Sequence, residues 1–242
     1  MRFSIYFLLL VLTGCTNLSP DSSEDAKDTV VKVDGGKLFY NGSITSVANK
    51  TLFKIYNGLE VKPKRLVITS TGGEVSLGIE LGRWVQENNL DVEVEKFCAS
   101  SCANYVFTAG HFKYLNKDST LIWHGSAWQG WSDDFSNEED GKYLTKIRTM
   151  ESRLFSQLKV DNLLCLYGQD FYGFKEYVKA IFGIGDVGFD YSLADLQKFG
   201  LDNIVLIDNE WDWRKYKPSH SYKVKRIAVS DNYQFTLNRF EI

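Results

Sequence analysis

Proline, histidine and cysteine are scarce in this 242-residue chain, at three, three and four. So few prolines exclude a proline-rich or collagen-like chain, and a hydrophobic share of 44% with 14% aromatics leaves a globular protein. Charge of one sign is lacking too. The formal balance of -3 gives no basic excess to hold a phosphate backbone, so nucleic acid is excluded as the expected partner. With so few histidines, Cys98, Cys102 and His111 find no fourth ligand, and no metal site is expected. Nor does any apolar run approach the ~20 residues that a bilayer-spanning helix needs. The length suits one sizeable domain.

What is present begins at the N-terminus. Arg2 precedes the short apolar run "IYFLLLVL", Ile5 to Leu12, which reads as a signal peptide over residues 1–14. The following "LTGC" resembles the bacterial lipobox, whose cysteine is lipidated and becomes the mature N-terminus. Cys15 is therefore the expected lipid attachment site. Thr16 is not the aspartate that resembles an inner-membrane retention signal, so an outer-membrane anchor facing the periplasm is expected if the host is Gram-negative. Residues 15–28 are polar and read as lipidated cysteine plus flexible tether. The folded domain is expected over 29–242. In an exported chain Cys98, Cys102 and Cys165 meet a compartment that permits disulfides. Cys98 and Cys102, four apart, pair only if the turn between them is helix-like; two buried thiols are the alternative.

Along the domain, strand and helix patterns alternate. "VVKVDGGKLFYNGSI" alternates around Gly35-Gly36 and predicts a hairpin, and "ANKTLFKIYNGL" has helical spacing. "RLVITS" and "LDVEVEKF" read as strands, separated by a helix with Leu77, Leu81, Trp84 and Val85 on one face. "ANYVFTAG" reads as a helix, "STLIWHG" as a strand, and "KYLTKIRTMESRLFSQL" as a long amphipathic helix. The tail from Trp211, with "YKVKRIAVS" and "YQFTLNRF", reads as added strands. Such alternation predicts parallel βαβ units.

Three segments fall near consecutive strand ends: "STGGEV", "ASSCA" and "LIWHG". In a parallel sheet such ends meet along one edge and can share a cleft. Their order resembles the proteolytic subunit of the Clp protease and the wider ClpP/crotonase-like fold, from about Leu66 to Ile204. The resemblance implies an α/β fold with a parallel sheet of repeated ββα units flanked by helices. It also implies a Gly-Gly oxyanion loop, a serine heading a helix and a histidine on a later strand. Aligned on the closing "TAG", Ser101 rather than Ser100 holds the nucleophile position, and His124 is the base. "SLADLQKFGLDNI" resembles the family's closing helix, Gly-Leu, acid and strand.

Serine attacks only when a base takes its proton, so Ser101 requires His124 within hydrogen-bond reach. The backbone N–H groups of Gly73 and Cys102 are the expected oxyanion donors. For the acid that would orient the imidazole, Asp186 and Asp190 compete, with Asp190 preferred; a dyad without either stays open. Taken singly, Gly72-Gly73 is an ordinary turn, Ser101 an ordinary helix cap and His124 an ordinary histidine. Their joint order carries the reading. The expectation is an exported serine-peptidase-like lipoprotein acting on peptides or unfolded protein segments, with no cofactor. A non-catalytic relative that binds a peptide or partner in the same cleft is the alternative, and a homo-oligomer is left open.

Overall fold

The computed structural model describes residues 29–129, 138–171 and 187–240. The signal peptide, Cys15, the tether and Asp186 lie outside the described residues. The chain is mixed α/β with a mostly parallel sheet flanked by helices. Among the described residues no helix is long and apolar enough to cross a membrane.

β1 (Val30–Asp34) and β2 (Lys37–Asn41) form the expected antiparallel hairpin. Its turn requires glycine: Gly35 and Gly36 have φ of 53° and 73°, where a side chain would be strained. α1 (Ser46–Gly58) is capped by Thr45, whose hydroxyl accepts from the Ala48 N–H. It leads to β3 (Arg65–Ser70), whose last five residues are all buried, as a strand covered on both faces must be. α2 (Val75–Glu87) crosses to β4 (Asp91–Ala99).

β4 pairs β3 on one side and two short strands on the other: β5 (Lys113–Leu115) along its first half and β6 (Thr120–Ile122) along its second. β8 (Ile204–Leu206) adds beside β5. Apart from the hairpin every pairing in this sheet is parallel. Between Val94 and Cys98 the β4 register shifts against β3, a bulge that bends the strand end next to Ser101. α3 (Glu138–Leu158) packs against α2, and α4 (Leu193–Lys198) follows β7 (Gly188–Tyr191). β7 pairs β9 (Val224–Ile227) in a second, two-stranded sheet, joined to the first by a Trp123–Phe189 bridge.

Three sequence expectations need correction. On α2 the fully buried stripe is Gly78, Ile79, Leu81, Gly82 and Val85, whereas Leu77 and Trp84 are half-buried. The stripe turns because Gly78 and Gly82 let the helix approach Tyr105 so closely that a Cβ on Gly82 would lie 2.6 Å from the Tyr105 carbonyl oxygen. "ANYVFTAG" is helical but not a regular α-helix: Cys102–Phe107 is a π-helix. The tail is strand only at β9. Residues 233–240 are instead clamped by Asp161, which accepts from the Tyr233 hydroxyl (2.6 Å), the Thr236 N–H and the Arg239 guanidinium.

At the opposite edge from Ser101, left-handed residues Asn89, Lys159 and Gly200 end α2, α3 and α4 around one hollow of about 360 Å³. Lys113 fills part of it, donating to Gly110 O at 2.8 Å and Asp202 O at 3.1 Å. Burial lowers its ammonium to about 8. Because the folded state releases this proton more readily than the unfolded chain, the contribution to stability is fully present above the unfolded value of 10.5 and is lost as pH falls through about 8. The unfolding free energy of wild type relative to Lys113→Met should therefore rise between pH 8 and 10.5, measured by urea denaturation at each pH. A flat difference would show that the amine titrates normally.

Candidate functional site

Ser101 sits where β4 gives way to the π-helical segment, and the residue before it, Ser100, has φ 55°. That left-handed residue makes the sharp strand-to-helix turn. Cys98 and Cys102 are joined in a disulfide across the turn, with Cα atoms 5.3 Å apart and both residues fully buried. The bond closes a loop of only a few residues, which on the chain-entropy account is worth about 2 kcal/mol. It also removes both sulfurs as thiolate ligands, so the Cys98, Cys102 and His111 grouping cannot hold zinc. Cys165 is free and buried.

α2 braces the turn from below. A Cβ on Gly78 would lie 2.6 Å from Ser101 Cβ, closer than real carbons approach. On its other side Ser101 meets the Gly72-Gly73 loop. Its hydroxyl donates to the Gly73 carbonyl at 2.8 Å, and the residue is only 2% exposed. The group that Gly73 turns to this hydroxyl is thus an acceptor, where an oxyanion site needs its N–H.

His124 follows β6. The β4–β6 register aligns Ala99 with Ile122, and the Ser100 N–H donates to Ile122 O at 2.9 Å. The ladder stops at that pair, so the serine turn and the histidine segment leave from adjacent strand ends. The histidine backbone is held on both sides: Gln169 donates to His124 O at 2.8 Å, and Asn104 donates to Gly125 O at 2.7 Å. Its ring is exposed and makes no hydrogen bond among the described residues.

Asp190 is not available as the third member. Although the Trp123–Phe189 bridge lays β7 beside the histidine segment, the fully buried Asp190 carboxylate accepts from Trp213 Nε1 (2.9 Å), from Arg214, and from Arg226 Nε (2.9 Å) and Nη2 (3.0 Å). A carboxylate so surrounded has no oxygen to spare for an imidazole. It fastens β7 to β9 and to the short helix α5 (Trp213–Tyr216) instead.

Trp123 and Trp128 do not obstruct the cleft. Trp123 is in the core against Tyr191, and Trp128 stacks on Phe240 at 5.4 Å. A hollow of about 370 Å³ starts at Gly73, Glu74 and Val75 and runs past Ser126 and Ala127 to Tyr143, Leu144 and Ile147 of α3.

Sequence reading missed Glu151. It is fully buried on α3, and one oxygen accepts from the Tyr105 hydroxyl (2.7 Å) and the Ala127 N–H (3.1 Å) while the other has no partner among the described residues. Burial pushes its carboxyl above the usual range against those hydrogen bonds. The signal was a glutamate within the apolar stripe of Ile147, Leu154 and Phe155. Ala127 and Tyr105 flank the histidine segment and the serine helix, so Glu151 ties the two together.

No family model matches the sequence, and no curated protein does.

Replacing Asp190 by asparagine separates an orienting acid from a structural one. Loss of the charge should lower stability by an amount near the lower end of about 3–5 kcal/mol, since Arg214 and Arg226 partly reach solvent. Urea denaturation of Asp190→Asn measures this. Unchanged stability would contradict the structural role.

Proposed function

We propose that this chain is a ClpP/crotonase-like serine peptidase that hydrolyses peptides with Ser101 as nucleophile and His124 as base, working as a dyad. The observation that carries this reading is the β4–β6 register, which aligns the serine turn with the histidine segment at one edge of a parallel sheet. In the step so assigned, Ser101 Oγ attacks the peptide carbonyl carbon and its proton passes to His124. The tetrahedral oxyanion collapses, and the proton goes on to the leaving amine; water then releases the acyl group by the same route. Attack requires the Ser101 hydroxyl to leave the Gly73 carbonyl, and the amide of Cys102, at the head of the helix, is the donor suited to the oxyanion. Asn104 and Gln169, which hold the carbonyls of Gly125 and His124, take over the fixing of the histidine that an acid would otherwise share.

The second reading, a non-catalytic module binding a peptide or partner protein in the same cleft, is favoured by one feature: the buried Ser101 hydroxyl is already committed to Gly73 O. Wild type, Ser101→Ala and Ser100→Ala, compared on a mixed peptide library, decide between them. Loss of the nucleophile should remove orders of magnitude in rate while loss of the neighbouring hydroxyl should not. Background cleavage by all three proteins, with no labelling by a fluorophosphonate probe, would eliminate the peptidase.

Export and lipid anchoring through Cys15 belong to the same proposal, supported by the short apolar run and the "LTGC" segment. Cys15→Ser should release the protein from the membrane fraction. A mature protein whose intact mass shows an unmodified Cys15 would remove the anchor.

A further inference from the structure

Two hollows meet at Tyr143. The one beginning at Gly73 has Tyr143 and Ile147 as its far wall. A second, of about 470 Å³, begins at the same two residues and runs along α2 between α1 and α3. Its lining includes Phe53, Trp84 and Met150, which are half-buried rather than absorbed into the core. The Phe53 and Trp84 rings lie 4.9 Å apart and make an aromatic floor. Between the hollows the Tyr143 hydroxyl donates to Glu74, tying α3 to the first turn of α2. Glu74 is otherwise spent on capping α2 through the N–H groups of Ser76 and Leu77.

The charges along the second hollow are unevenly engaged. Arg83 pairs with Glu87 at 3.2 Å, and Glu80 accepts from Asn49 at 3.1 Å. Lys146 is exposed and makes no ion pair or hydrogen bond among the described residues. Glu80 on α2 and Lys146 on α3 are thus the two lining charges without an ion pair among the described residues, and they are opposite in sign. Trp84 lies ten residues past Glu74 on α2 (84 − 74 = 10), about 15 Å along the helix axis. Extended chain covers that span in four or five residues, at roughly 3.3 Å each.

We propose that the two hollows are one substrate groove, gated by the Tyr143–Glu74 bond. It takes an extended peptide whose aromatic side chain rests on Phe53 and Trp84, four or five residues from the part of the peptide that passes Glu74, with an acidic group near Lys146. The inference rests on the peptide reading of the Ser101 site and names its specificity. The chain's own tether is a poor occupant, because residues 16–28 contain no aromatic side chain.

The test is binding by the Ser101→Ala protein, which keeps the groove and cannot cleave. Its probes are two fluorescein-labelled Ala/Gly decapeptides, each with one aspartate, one carrying a phenylalanine and the other alanine at that place. Burying the ring should make the phenylalanine peptide bind roughly tenfold more tightly or better. Added Trp84→Leu should erase that preference, Lys146→Gln should weaken both peptides, and Tyr143→Phe should tighten both by freeing the gate. Circular dichroism checks each fold; should Trp84→Leu not fold, Phe53→Leu replaces it. Equal affinity for the two peptides overturns the groove, as does a preference that survives loss of the aromatic floor. So would sedimentation showing a dimer that Trp84→Leu dissociates, which gives the hollow to a second copy. Binding preference in Ser101→Ala without cleavage by wild type would sink the peptidase and keep the groove. Cleavage of both peptides at one rate, with one affinity, would do the reverse.

Discussion

β4 is the strand on which the rest depends. It is the longest in the sheet, and by pairing β5 with its first half and β6 with its second it supports two strands along one side. That division lets β6 end level with β4, Ile122 beside Ala99, so that the histidine segment and the serine turn leave from neighbouring strand ends. The register shift against β3 near Val94 completes the arrangement by bending β4 just before Ser101, and Asn116 fills the gap by donating to Val94 O at 2.9 Å. Loss of parallel register by even one residue would send the serine and the histidine to opposite faces.

Around that strand the polar groups divide into fasteners and free groups. Asp190 is enclosed by an indole and two arginines, and Asp161 by an aromatic hydroxyl, an arginine and backbone N–H groups, and each fastens a C-terminal segment. Buried carboxylates persist only when so matched, which is why neither is free for chemistry. Glu151 is the exception: half satisfied, with burial raising its carboxyl above the usual range, it bridges the serine helix and the Ala127 segment.

Much of the frame was legible in sequence. Alternation and turn glycines marked the hairpin, and "RLVITS" matched β3 because a strand buried on both faces must be continuously apolar. The pairing of Cys98 with Cys102 required a helix-like turn between them, and Ser100 and Ser101 supply one. What stayed hidden depends on contacts remote in sequence. Trp84 follows the helical spacing of a core residue, yet the approach of Gly78 and Gly82 to Tyr105 rotates it to the flank. Asp190 stands where an acid was wanted, but Arg214 and Arg226 reach it from 24 and 36 residues away. The strand-like pattern of "YQFTLNRF" yields to the pull of Asp161, more than 70 residues upstream.

The contact of Gly78 with Ser101 has a kinetic side. With a helix backbone pressed against the serine's Cβ and a disulfide beneath it, Ser101 cannot be moved by sliding its helix. The Gly72-Gly73 loop is held as well: Gly72 O accepts from the Ile44 N–H at 2.7 Å, Gly72 N–H donates to the Ser70 hydroxyl at 3.1 Å, and Gly73 bridges Ile44. What can turn is the Ser101 side chain itself, about one torsion, so parting its hydroxyl from the Gly73 carbonyl needs no backbone change.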